Sequence, residues 1–450
     1  MSKRLCGSFI KAMKRWSSAK LLRTSEFVYA TIAVFALTQG PVFLLWQKSA
    51  TRVEDLALPS LGHAYFATFL VVQIPGVVLF SRRVTRVWFS QRVNQALVAL
   101  VAWLAATSMW STFARESLPQ SVALLTTTTF GAYLALSFSP RWLWTVISMG
   151  VFLGVGISWV AIVRLWDGAV NLQYDYWVGI YFNRNSLSPV ALIAVIGGAY
   201  LLIPHSRLSW KLLVKYLIFC VPIVGVCTLA CILLWKSESR TSPVALSAAA
   251  AIVLVGLVIR WVLLRIRVLQ VFARYSFSIA LVASSALLIL YVRMIGGITG
   301  VVVRLPTLNP REVLWEFSWS GFLKKPWHGW GWMAAWRTPE FFESPAATWA
   351  STWRSEWSHN SYFDLLLGGG VVAALLFLLF VLLATLVRKT DTLRNTAFRH
   401  VIIFFVLIAA TQETFFIGSH FLWAVLVAAC VAPTNDHLVV EQEEPENRPA

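Results

Sequence analysis

Charge is scarce in this chain, and acid is scarcer than base. Only 13% of the 450 residues are charged, about half the share of a typical soluble protein. Twenty are acidic against 38 basic, a net charge of +18. Cysteine is rare as well. Cys220, Cys227, Cys231 and Cys430 lie in apolar runs and Cys6 lies in the N-terminal segment. None stands at zinc-ligand spacing with a histidine, so they read as small buried hydrophobes. No two histidines share ligand spacing on a helix face, and no connector carries a paired-carboxylate metal motif. The glycine-rich phosphate loop G-x-x-x-x-G-K-[ST] does not occur. The expectation is therefore no nucleotide hydrolysis, no required metal and no other cofactor.

What fills the chain is apolar. Hydrophobic residues make up 58% and mean hydropathy is +0.69. Apolar runs of about 20 residues recur throughout, which predicts an all-α, polytopic integral membrane protein. Inside lipid each span must satisfy its own backbone hydrogen bonds, and the alternating strands of a β-barrel are absent. The basic residues sit in short connectors between apolar runs. That placement disfavours a nucleic-acid reading of the net charge.

Twelve transmembrane helices are expected, over 27–46, 61–80, 95–113, 119–138, 142–163, 186–204, 213–235, 243–264, 272–295, 361–387, 399–417 and 419–434. The first two contain "QGP" and "QIPG", which are candidate kinks. With the N-terminus in the cytoplasm, every short inner connector is basic, and only Asp391 opposes them. The positive-inside rule then puts both termini in the cytoplasm. Residues 1–26 form a basic segment suited to the anionic inner leaflet, and the first run reads as an uncleaved anchor. Residues 27–295 hold spans one to nine. Residues 296–360 form one large outward-facing loop, 361–434 hold the last three spans, and 435–450 are an acidic cytoplasmic tail.

The large loop and the shorter outer connectors carry the candidate chemistry. Residues 304–360 contain nine of the 23 tryptophans, among them Trp315. Trp349, Trp353 and Trp357 recur every four residues, on one face of a helix. Such a stripe suits either the headgroup boundary or stacking on sugar rings. Arg115, Arg184, Arg240, Arg304 and Arg311 fall on the same outer side. Each alone suits a solvated or headgroup-bound cation, and together they suit an anion site. Arg240 in "WKSESRTSP" and Arg311 in "NPREVLWEF" stand near helix starts, where the helix field adds to theirs. His359 in "RSEWSHNSYFDLLLGGG" is the strongest candidate general base, with His328 and His420 as rivals. A lone histidine at a helix start is more often a cap or headgroup contact.

These residues fit a known pattern. "SHNSYFDLLLGGG" resembles the signature of the bacterial O-antigen ligase and O-antigen polymerase superfamily. His359 and Asn360 match its His-Asn/Ser pair and Gly370 matches its first glycine, while Ala373 stands where a second is usual. "NPREVLWEF" followed by "KKPWHGWGW", "SESRTSPVALSAAAAIVL", "GIYFNRNSLSPVALI" and "SMWSTFARESLPQS" resemble further elements of the family. The resemblance covers roughly Ser108 to Ala373. It implies a membrane glycosyltransferase working at the periplasmic face of the bacterial inner membrane. The donor would be a glycan on undecaprenyl diphosphate and the acceptor a lipid A-core oligosaccharide. His359, Arg311 and Arg240 would be catalytic. Arg115, Arg184, Asn185, Asn360, Arg304 and Trp315 would bind substrate. A polymerase joining lipid-linked repeats is the nearest alternative. A secondary transporter is the alternative from another class, but the span centres are nearly free of charge and no repeat is evident. An interaction scaffold is a weaker one.

Overall fold

A computed structural model describes residues 21–47, 59–166, 168–171, 175–204, 210–294, 309–343, 357–388, 391–413 and 420–431. In chain order the helices are α1 (described over 21–37), α2 (Gly40–Gln47), α3 (Pro59–Arg83), α4 (Arg86–Ser90), α5 (Arg92–Ala106), α6 (Ala114–Ser137) and α7 (Pro140–Val163). Then follow α8 (Arg184–Leu201), α9 (Trp210–Lys236), α10 (Thr241–Arg265), α11 (Ser276–Met294) and α12 (Asn309–Lys324). The last are α13 (Pro339–Phe342), α14 (Ser361–Ala384), α15 (Leu393–Ala409) and α16 (Phe421–Cys430). Among the described residues the strands are a two-residue pair, Val170–Asn171 against Tyr176–Trp177.

Among the described residues the long apolar runs lie on helices, and the fold is all-α in character. Among the described residues, five stretches are long and apolar enough to cross a membrane by length and composition: Pro140–Val163, Tyr216–Lys236, Thr241–Arg265, Arg267–Met294 and Ser361–Ala384. The two candidate kinks behave differently. At "QGP" the helix ends, Gln39 takes φ +73°, and α2 restarts at Gly40. At "QIPG" α3 runs on through Pro75.

The chain forms two compact units. One comprises Met1–Ala57 and Arg141–Ser237, the other Leu58–Pro140 and Glu238–Ala450. In the first, Val34 of α1, Val151 and Val155 of α7 and Val190 and Ala194 of α8 are buried. The Tyr181 hydroxyl donates to Thr38 Oγ1 at 3.3 Å, beside the α1–α2 break.

The second unit is built around α16, all of whose residues are buried. A fully apolar helix of this kind has no polar face to turn outward and belongs in a core. α6, α14 and α15 supply its surroundings: Trp423 Nε1 donates to Thr128 Oγ1 of α6 at 2.8 Å, and its ring meets Phe380 of α14. At one end of α16, Arg388 donates to the carbonyls of Cys430 and Val431, a cation closing a helix C-terminus.

Candidate active site

α14 is interrupted at its third glycine. Gly370 takes φ +68°, ψ −165°, a conformation open essentially to glycine alone. The break turns several backbone groups out of the helical ladder, and the segment after α12 takes them up. Trp330 N donates to Leu367 O at 2.7 Å and Gly331 N to Gly368 O at 3.2 Å, while Val371 N donates to Pro326 O at 2.8 Å. Trp103 Nε1 of α5 donates to Gly369 O at 2.8 Å. Gly329, at φ +71°, lets this segment lie against α14. A Cβ there would stand 2.5 Å from Leu367 O. "PWHGWGW" and "LLLGGG" are thus two halves of one junction, which fixes α12 against α14.

Ser358, just before α14, is held from several sides. Its N–H and Oγ donate to Asp364 Oδ1 at 2.9 and 2.7 Å. Its carbonyl accepts from Trp315 Nε1 at 3.2 Å, and its hydroxyl meets Ser318 Oγ at 2.9 Å. Asn360 is the helix cap. Its Oδ1 accepts from Tyr362 N and Phe363 N, and its Nδ2 donates to Thr411 O at 3.0 Å. Ser361 N donates to Ala410 O and its hydroxyl to Glu413 O, both at 2.9 Å. The turn after α15 is therefore strapped to the start of α14.

Between these two fixed residues stands His359, in the left-handed region at φ +49°. A non-glycine residue persists there only where its surroundings over-determine it. Its Nδ1 lies 3.0 Å from Glu413 Oε2. The other carboxylate oxygen of Glu413 accepts from Arg311 Nη2 at 2.8 Å. Arg311 Nη1 donates to Gln412 O at 2.5 Å and faces Gln412 Oε1 at 3.2 Å. The three side chains are 14 to 17% exposed, which limits solvent screening. Glu413 on Nδ1 favours the tautomer that carries its proton there and leaves the lone pair on Nε2. Trp357 sits beside the imidazole, ring centroids 5.8 Å apart.

The other expected site residues divide. Trp315 lies against Phe363 in the same cluster. Arg115 in the first turn of α6 and Arg240 at the start of α10 are exposed members of the same unit. Among the described residues, no hydrogen bond or ion pair joins either to His359 or Glu413. Arg184 and Asn185 belong to the other unit, where Arg184 lies 4.8 Å from the Tyr176 ring centroid. Arg304, Trp349 and Trp353 lie outside the described residues. Of the rival histidines, His328 faces Trp110, and His420 caps α16 by accepting from Leu422 N.

Sequence reasoning passed over Glu413 and Asp364. Each has a signal in retrospect. Glu413 is the lone carboxylate between residues 392 and 435, and Asp364 stands inside an otherwise apolar run. Acid is rare in a chain of this kind and needs a partner wherever it is buried.

Residues 224–378, about a third of the chain, match a family model described as O-antigen ligase. The match takes in Arg240, Arg311, His359 and Gly370, and stops short of Glu413. No curated protein matches the chain.

Proposed function

Residues 224–378 carry a domain of the O-antigen ligase and polymerase superfamily, and from that premise we propose that the protein is an O-antigen ligase. It transfers a glycan from undecaprenyl diphosphate to a lipid A-core oligosaccharide, at the periplasmic face of the inner membrane. The observation that carries this reading is the chain Arg311–Glu413–His359 at the head of α14. It is a base, an orienting carboxylate and a cation that neutralises the carboxylate.

In the proposed reaction an acceptor hydroxyl attacks the anomeric carbon of the donor sugar. The new C–O bond forms as the bond from that carbon to the diphosphate oxygen breaks, and its electron pair leaves with the diphosphate. His359 Nε2 takes the hydroxyl proton. Glu413 holds the ring in line and stabilises the imidazolium that results, while Arg311 holds Glu413 in place. A direct displacement inverts the anomeric centre. The diphosphate is a weak base and leaves without a general acid, but its growing charge needs fixed positive groups. The exposed guanidiniums of Arg240 and Arg115 are the side chains we assign to it, in a metal-independent transfer. Both termini then lie in the cytoplasm.

The test is a surface-glycan gel on cells lacking this gene, complemented with the unaltered protein or with His359→Ala. Long polymer left on the diphosphate lipid and absent from its acceptor supports the ligase. Single-repeat glycan alone would make the protein a polymerase. Full activity of His359→Ala would remove the histidine-centred reaction.

A further inference from the structure

The end of α10 opposite Arg240 has a different character. Between Thr241 and Met294 the chain carries five arginines and no Asp, Glu or Lys. Four of the five, Arg260, Arg265, Arg267 and Arg274, stand within fifteen residues around the elbow that follows α10 and opens the next candidate membrane stretch. α10 has 25 residues, about 37 Å at 1.5 Å per residue. That is longer than a hydrocarbon core of about 30 Å, so an elbow at its end stands at headgroup level.

The elbow is a short 3-10 helix, Arg267–Tyr275. It exposes Val268 at 84%, together with Val271 and Phe272, between Arg267 and Arg274. Apolar residues outward and arginines at the flanks are the arrangement of a segment lying in the membrane boundary. Beside it is a groove of about 420 Å³ lined by Leu257, Val258, Arg260, Trp261, Leu264 and Leu393. Among the described residues, Arg260 is the one charged residue in its wall. Its Nη1 donates to Ala273 O at 3.2 Å, which holds the guanidinium at the mouth of the elbow. Arg265 lies over Trp261, 4.8 Å from the ring centroid. Asp391, the acid just before α15, is ion-paired with Arg399 at 3.3 Å.

We propose that this elbow and groove form a binding site for one anionic phospholipid. An acyl chain lies along Leu257, Trp261, Leu264 and Leu393, and the phosphate meets Arg260 and Arg265. Charge decides the headgroup. Four arginines without an opposing acid in their own segment attract a lipid of net negative charge and repel the ammonium of a choline headgroup. A second copy of the chain suits the groove less well, because a two-fold contact would bring two basic elbows together. The proposal does not rest on glycan transfer.

The experiment uses the full chain, purified in detergent and stripped of lipid. Dioleoyl phosphatidylglycerol is expected to raise the melting temperature by about 3 °C or more. Dioleoyl phosphatidylcholine and inorganic phosphate are expected to leave it unchanged. The variant Arg260→Gln/Arg265→Gln should lose the phosphatidylglycerol increment. An equal rise with phosphatidylcholine, an equal rise with inorganic phosphate, or an undiminished rise in the double variant would each overturn the proposal. So would a concentration-dependent dimer that the double variant loses. Where that variant does not fold, native mass spectrometry of the unaltered protein decides, with the two lipids in competition. Several-fold excess of phosphatidylglycerol adducts supports the site, and equal occupancy overturns it.

Discussion

Glu413 joins His359 to Arg311 across more than fifty residues of sequence, with one carboxylate oxygen 3.0 Å from the imidazole and the other 2.8 Å from the guanidinium. The carboxylate is held by both partners, so removing its charge leaves each misdirected. Glu413→Gln is expected to lower the transfer rate about 10²-fold with little change in acceptor KM. The measurement is a purified transfer assay with a lipid-diphosphate donor. An unchanged rate would mean that the carboxylate plays no part in orienting the base.

Arg311 serves Gln412 and Glu413 together through two nitrogens of one planar fork. A lysine offers a single point charge in place of that fork. Arg311→Lys should therefore fall well below the unaltered protein in the same assay. Adding Glu413→Gln to it should reduce the rate little further, because the residues act as one unit. Fully multiplicative losses would show that the two act independently.

The all-α character was legible because the length of an apolar run survives in any sequence, although five of the twelve expected spans match stretches long and apolar enough to cross a membrane among the described residues. The start of α14 was legible because Asn360 stands directly before its apolar run. The break at Gly370 was not. Three glycines inside an apolar run do not say which of them leaves the helix, and only the partner segment Pro326–Trp332 shows why Gly370 does. Glu413 was hidden for a similar reason. Its two partners come from α12 and from the head of α14, and no local spacing connects them. His359, Arg240 and Arg311 could be singled out one by one as candidates, but the relation of His359 to Arg311 through Glu413 exists only after folding.

The junction at Gly370 makes a prediction about stability. A Cβ at this position would meet the carbonyl of Trp327 and the nitrogen of His328, and φ +68° with ψ −165° is closed to alanine. Gly370→Ala is expected to destabilise the protein by about 1–3 kcal/mol or more, read as a lower melting temperature in detergent. Gly225 of α9 is the control, since nothing lies within 4 Å of its Cβ position. Gly225→Ala should be neutral or slightly stabilising. Equal behaviour of the two variants would show that the break is not required.

Asp364 accepts both the N–H and the hydroxyl of Ser358 while itself buried. Asp364→Ala leaves two buried donors without that acceptor, a loss of about 1–3 kcal/mol for each such group. Asp364→Asn keeps one acceptor oxygen and should lose less. Because Ser358 precedes His359, the alanine variant should also lower the transfer rate. A variant with full activity and full stability would show that Ser358 is held adequately by Trp315 and Ser318.

Asn360 performs two tasks that substitution can separate. Its oxygen caps α14, and its amide donates to Thr411 O in the turn that carries Glu413. Loss of a cap alone costs about 1 kcal/mol, which Asn360→Ala should show as a lower melting temperature. Asn360→Asp retains a good capping oxygen, yet sets a carboxylate oxygen against the Thr411 carbonyl. If the strap to the turn matters to the site, the aspartate variant should recover stability poorly and activity hardly at all, because Glu413 moves with that turn. If the cap is all that Asn360 supplies, aspartate should restore both, and the transfer assay on the two variants distinguishes these outcomes directly.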